Sequence, residues 1–285
     1  MESARWIVLI RERFPLPVYF LLSGGFAFSG VMLGDGYLHP IPSFLSFLGI
    51  LLFFFVLRIM DEIKDYEKDR IAHPQRPLPR GVLSPPQVES MIVRSSWVMA
   101  VFGLFLGGLF NWWAGLMYLG LTVHLWLMYR EFYLGAWLEE RPLVYAVSHQ
   151  LVLIWLCLFS VFLTSPEMRW NAEPYYFALL CLGSFFSYEI SRKMSPQADP
   201  VLRTYRQVYG VGGSFLIVLC TTALACYSAL QLNGFTFLLI PNALLLLSFL
   251  RLPMGNHKIV EGLASVSLIL HLWAVVIVET LERWI

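Results

Sequence analysis

The sequence predicts an all-α protein, a multi-pass transmembrane helical bundle of about nine spans, built as one domain over residues 1–285. Three observations predict it. Of the 285 residues 58% are apolar and only 14% are charged, where soluble domains carry about a quarter charged. The apolar residues gather into runs that match or approach the length needed to cross a hydrocarbon core of about 30 Å. Finally, the basic residues are sorted between alternate connectors.

The elements follow in order. Residues 1–13 form a short amphipathic lead with Arg5, Arg11 and Arg13. The run 14–34 is too long for a signal peptide and has no small-residue cleavage site, so it reads as the first span. The second span is 41–60. Further apolar runs lie at 97–110, 113–129, 143–164, 175–188, 208–230, 235–250 and 259–278. The shorter ones must extend into their flanks. Connectors are short, and no segment reads as a soluble domain.

With the N-terminus on the cytoplasmic side, 18 of the 20 Lys and Arg fall at inner connectors, and only Arg169 and Arg283 fall outside. This places the C-terminus on the opposite side and every motif loop on one side, as in a bacterial-type inner membrane. The net charge of +1 offers no basic surface for nucleic acid. Cys157, Cys181, Cys220 and Cys226 all lie in apolar runs and read as small core residues rather than disulfides or ligands.

The chain is organised around residues 61–81, DEIKDYEKDRIAHPQRPLPRG. Asp61, Asp65 and Asp69 are four apart, which on a helix stacks them on one face about 6 Å from one another. Like charges so placed repel unless a cation sits on them. Carboxylates that converge without enclosing an ion suit Mg²⁺, which keeps waters and takes further ligands from phosphate oxygens. Lys64, Lys68, Arg70, Arg76 and Arg80 are interleaved and suit the remaining phosphate charge. Taken on charge alternation alone, the same stretch is a solvated loop between two spans.

These residues resemble the first aspartate-rich motif of the UbiA superfamily of intramembrane prenyltransferases, N-D-x-x-D-x-x-x-D followed by R-P-[LI]-P-x-G. Asp65 and Asp69 fall on its last two aspartates, Asp61 stands where the family has Asn, and Glu62 where it has its first Asp. Arg76 to Gly81 fits the tail. The short step from Asp69 to Arg76 is similar to the chlorophyll-synthase and archaeal ether-lipid branches.

The family's second aspartate-rich motif belongs at the end of the sixth span, and residues 188–210 resemble it in part. Glu189 stands for one carboxylate, but Lys193 occupies the place of the next. Two readings stay open. The pair is a helix-stabilising salt bridge, or Lys193 replaces metal charge and grips a diphosphate while Glu189 holds a metal. Tyr129 and Arg130 resemble a Tyr-basic pair on the phosphate side of the family's pocket; Glu131 beside them pairs, faces water, or serves as a base. His124, His149 and His271 lie within spans and read as neutral histidines with one partner each.

The resemblance implies a UbiA-type fold and transfer of an isoprenoid group from a prenyl diphosphate to a lipophilic acceptor among membrane lipids. Ionisation of the diphosphate would depend on Mg²⁺. The implied catalytic residues are Asp61, Asp65, Asp69 and Glu189. The metal would be held by Asp61, Glu62, Asp65, Asp69 and Glu189. The implied substrate-binding residues are Lys64, Lys68, Arg76, Tyr129, Arg130, Arg192 and Lys193. A terpene cyclase on the same scaffold, or a lipid-binding or transport relative without catalysis, would carry the same layout.

Overall fold

Proline opens several of the helices, much as the turn residues dictate. The computed structural model describes residues 2–283, and every element among them is helical; Met1 of the basic lead lies outside the described residues. The lead folds as α1 (Glu2–Arg13), and α2 (Leu16–Asp35) follows. Gly36 ends α2 in the left-handed region at φ 65°, returning its N–H to Met32 O. The succeeding helices are α3 (Pro40–Lys64), α4 (Tyr66–Ala72), α5 (Pro85–Leu109) and α6 (Trp112–Tyr129). Then come α7 (Gly135–Glu139), α8 (Pro142–Gln150), α9 (Val152–Phe162) and α10 (Glu173–Ser191). The last four are α11 (Tyr205–Gln231), α12 (Leu239–Ser248), α13 (His257–Leu272) and α14 (Ala274–Glu282). Proline sits in the first turn of α2, α3, α5, α8 and α10, where its missing N–H has no intrahelical acceptor to lose.

Neighbouring helices pack side by side around the bundle: α3 on α5, α5 on α6, α6 on α9, α9 on α10, α10 on α11 and α12 on α13. Helix α2 packs against α3, α9, α13 and α14. The core between them is aromatic, with Phe26, Phe53, Tyr118, Phe159 and Phe177 fully buried. Close approach matters because lipid is as apolar as the core, so packing rather than burial from water holds such helices together. Gly183 shows it: a Cβ there would stand 2.6 Å from Thr221 O of α11. The outer faces carry Trp97, Leu104, Leu216, Ile240 and Leu250, all exposed, as lipid contact requires.

Among the described residues six helical stretches are long and apolar enough to cross a membrane, or seven if the bent pair α13 and α14 counts as one. The expected count of about nine is therefore not confirmed. The difference lies in α6 and α10. The first holds three Trp, two Tyr and a His in 18 residues, and the second carries Glu173 and Glu189 near its two ends.

The connectors sort into two ends. At one, Asn111 donates to Phe162 O at 2.9 Å, Arg169 lies over the ring of Trp113, and Arg283 donates to Gly36 O. These last two arginines are the pair that the charge pattern assigns outside. At the other end the segments after α3, α6 and α10 converge on one cavity. We expect single cysteines introduced at Gln75 and Ser195 to label from one side of sealed vesicles, and one at Glu167 from the other. Labelling of the first two from opposite sides would contradict the shared cavity.

Candidate active site

The site begins with the length of α3. Its 25 residues span about 37 Å, more than the hydrocarbon core of about 30 Å, so its last turn reaches the interface. The helical ladder continues past the end of α3 without a break in register. Asp65 N–H bonds Asp61 O at 2.9 Å, Asp69 N–H bonds Asp65 O at 2.7 Å, and His73 N–H bonds Asp69 O at 2.8 Å. The three aspartates thus share one helical face, but their side chains have separate fates.

Asp69 is buried and held by Arg76, whose Nη1 lies 2.5 Å from Oδ1 and 2.6 Å from Oδ2. The R-P-L-P-R-G tail folds back to deliver that guanidinium. Glu62 is buried on another side of the helix, where Arg13 Nε donates at 2.7 Å and Arg58 Nη2 at 2.9 Å. No ion pair among the described residues reaches Asp61 or Asp65. Burial, then the neighbouring Asp69, push the Asp65 carboxyl above its usual range, while Lys193, Lys64 and Lys68 oppose the shift. An acid in that state favours a cation beside it.

A cavity of about 390 Å³ opens against Asp65. Lys64 and Lys68 line it from the first motif, Lys193 from the end of α10, and Arg203, Thr204 and Tyr205 from the start of α11. Glu131, Glu139 and Tyr145 form the remaining polar wall. The first and second charged regions, far apart in sequence, therefore face one space. Lys193 Nζ lies 2.5 Å from Glu189 Oε1, and Arg192 Nε lies 2.6 Å from the other oxygen, but neither Glu189 nor Arg192 lines the cavity. Glu189 in turn raises the Arg192 guanidinium above its usual range. Lys68 bonds Glu139 at 2.9 Å, and that bond holds the Glu139 carboxyl below its usual range.

Other predicted residues stand apart. Tyr129 and Arg130 do not line the cavity, and Arg130 lies over the ring of Tyr133 instead. Arg76 and Arg192 are engaged with carboxylates, as above. Glu131 reaches the cavity and comes within 3.9 Å of Lys64 Nζ. It is carried by an unusual turn: Glu131, Phe132 and Tyr133 all have positive φ, at 50°, 53° and 59°. Left-handed backbone costs L-residues about 1–2 kcal/mol each, so this turn is held by its surroundings.

One feature was missed in the sequence. Lys64 lines the cavity, yet its ammonium donates to Tyr145 Oη at 2.7 Å, Met128 O at 3.0 Å and His149 Nε2 at 3.1 Å. His149 is thus a histidine with a partner, as expected, but the partner is the motif lysine. The only advance signal was the Tyr145–His149 spacing of four on α8, which puts both on one face.

No group of three or more His, Cys, Asp or Glu among the described residues is arranged to hold a metal alone. The donor set nevertheless fits Mg²⁺. Asp61 and Asp65, one turn apart, have no ion-pair partner among the described residues, though only Asp65 lines the cavity, and Mg²⁺ in phosphate sites takes one or two protein carboxylates with waters and phosphate oxygens. Glu62, Asp69 and Glu189 are spent on arginine and lysine.

Comparison with known proteins agrees with this layout. A model described as the UbiA prenyltransferase family matches residues 23–258. Two solved structures share the fold. One is of a digeranylgeranylglyceryl phosphate synthase, 17% identical, covering 98% of each chain with a TM-score of 0.63. The other is an apo UbiA homologue from Aeropyrum pernix K1, 15% identical, covering 92% of this chain and 98% of that one with a TM-score of 0.64. No curated protein sequence matches.

Proposed function

The chain belongs to the UbiA prenyltransferase family, and we propose that it transfers an isoprenoid group from a prenyl diphosphate to a lipophilic acceptor within the membrane. The observation that carries this reading is the meeting of Asp65, left without a counterion, with Lys68, Lys193 and Arg203 around one cavity. The lining sets Asp65, Glu131 and Glu139 among Lys64, Lys68, Lys193 and Arg203, and although Lys68 and Lys193 also pair with Glu139 and Glu189, such a mixture suits a polyanion bound together with a divalent cation.

Asp61 and Asp65 are the residues that would hold Mg²⁺, which when bound supplies charge neutralisation to the leaving diphosphate. Lys68, Lys193 and Arg203 face the oxygens on which charge grows as the allylic C–O bond breaks and its electron pair stays with the diphosphate. The carbon then bonds the acceptor's nucleophilic atom, which gives up its proton. The bundle shields the allylic cation from water, which would otherwise capture it. Glu62 and Asp69 serve here by fixing the backbone that presents Asp61 and Asp65.

The test is the product. Protein reconstituted in liposomes with host lipid extract, a prenyl diphosphate and Mg²⁺ is expected to release diphosphate and yield a lipid heavier by one prenyl group. A cyclised hydrocarbon in place of that lipid would establish the cyclase reading. No magnesium-dependent release from any donor length would overturn catalysis.

A further inference from the structure

We propose that Tyr145 is a hydrogen-bond donor to the diphosphate, with its hydroxyl pre-aimed into the cavity by Lys64 and His149. The proposal deepens the reading of this cavity as a prenyl diphosphate site and adds a residue to it. The tyrosine lies between the two charged motifs in the chain, on α8.

The argument is one of counting hydrogens. His149 Nδ1 lies 2.8 Å from the carbonyl of Tyr145, so this nitrogen carries the proton. Its Nε2 is then bare and accepts from Lys64 at 3.1 Å. An ammonium has three donors and no acceptor. Lys64 spends all three, on Met128 O, His149 Nε2 and Tyr145 Oη. Since Lys64 can only donate, Tyr145 Oη accepts from it, and the hydroxyl proton of Tyr145 needs an acceptor elsewhere. Among the described residues it has none, because the bond from Lys64 is the one that reaches Oη. Tyr145 lines the cavity together with Lys68, Lys193 and Arg203, so the acceptor it lacks is an oxygen of whatever anion those cations hold.

The surroundings keep this arrangement fixed. The Tyr145 and His149 rings stack with centroids 3.9 Å apart. Phe132 stands edge-on to both His124 and His149 at 5.6 Å, carried there by the left-handed turn. His124 Nε2 closes the group by bonding Ser148 O at 3.0 Å. Lys64 thereby becomes a positioning residue: its charge sits behind the phenol and strengthens the phenol as a donor, rather than touching the ligand itself.

The experiment measures binding of inorganic diphosphate with Mg²⁺ to the full-length protein in detergent, alongside turnover of a prenyl diphosphate. Tyr145→Phe keeps the ring stack and removes only the O–H. It is expected to weaken diphosphate binding by roughly ten- to a hundred-fold, the range for one hydrogen bond to a charged group, with thermal stability unchanged. His149→Leu, which strips Lys64 of an acceptor, should lose binding as well, and His149→Gln, whose amide oxygen accepts in its place, should restore it. Wild-type diphosphate affinity in a folded Tyr145→Phe overturns the proposal. Equal losses in His149→Leu and His149→Gln overturn the positioning by His149. If the wild type binds diphosphate in a Tyr145-dependent way but turns over no prenyl donor, the binding proposal stands and the transferase reading falls.

Discussion

Asp65→Asn is expected to lower kcat by roughly 10²–10³ while the protein still folds and inserts. The substitution keeps the size of the side chain and removes the charge. Asp65 is the one aspartate of the motif that both lines the cavity and has no ion pair among the described residues. Its loss would therefore fall on the reacting complex and not on a structural clamp. The kinetic signature is a fall in kcat at saturating Mg²⁺, with melting temperature unchanged. Near-normal turnover in a folded Asp65→Asn protein would reduce residues 61–69 to a charged connector.

Arg76→Leu should act on stability instead. It strands the Asp69 carboxylate, which is 3% exposed, and breaking a buried pair from one side costs about 3–5 kcal/mol. That corresponds to a fall in Tm on the order of 10 °C for a chain of this size. The double substitution Asp69→Leu/Arg76→Leu removes both charges and should recover most of the loss, since the penalty is that of the orphaned ion. Thermal unfolding of the three variants in detergent measures this. If Arg76→Leu melts like the wild type but loses donor binding, Arg76 serves the phosphate directly and the clamp is incidental.

These two expectations divide a motif that reads as uniform in the sequence. The register of Asp61, Asp65 and Asp69 is legible because helical spacing is local, and the backbone ladder keeps it. The choice among the acids is not, because it depends on partners supplied from elsewhere. Glu62 is shared between Arg58 on its own helix and Arg13, 49 residues away, and Asp69 is taken by an arginine that a proline-rich turn brings back. The role of Tyr145 is hidden for the same reason: its partner Lys64 is 81 residues distant. The divergent lysine at 193 was the better clue, since a cation where the family pattern calls for an acid points to the cavity it lines. The span count of about nine went further than the structure does, because tryptophan, tyrosine and histidine leave α6 short of the apolarity of a membrane span.

The Arg58–Glu62 pair has a bearing on how the chain enters the bilayer at all. Both charges lie on α3, one turn apart and 2.9 Å from each other. They neutralise one another as soon as that helix coils, before any other helix has arrived. An insertion machinery that weighs one segment at a time would thus meet a nearly neutral pair in place of two costly ions. Arg13 reaches the same carboxylate from α1, 49 residues away, so its contact, unlike the pair within α3, requires the two helices to have come together.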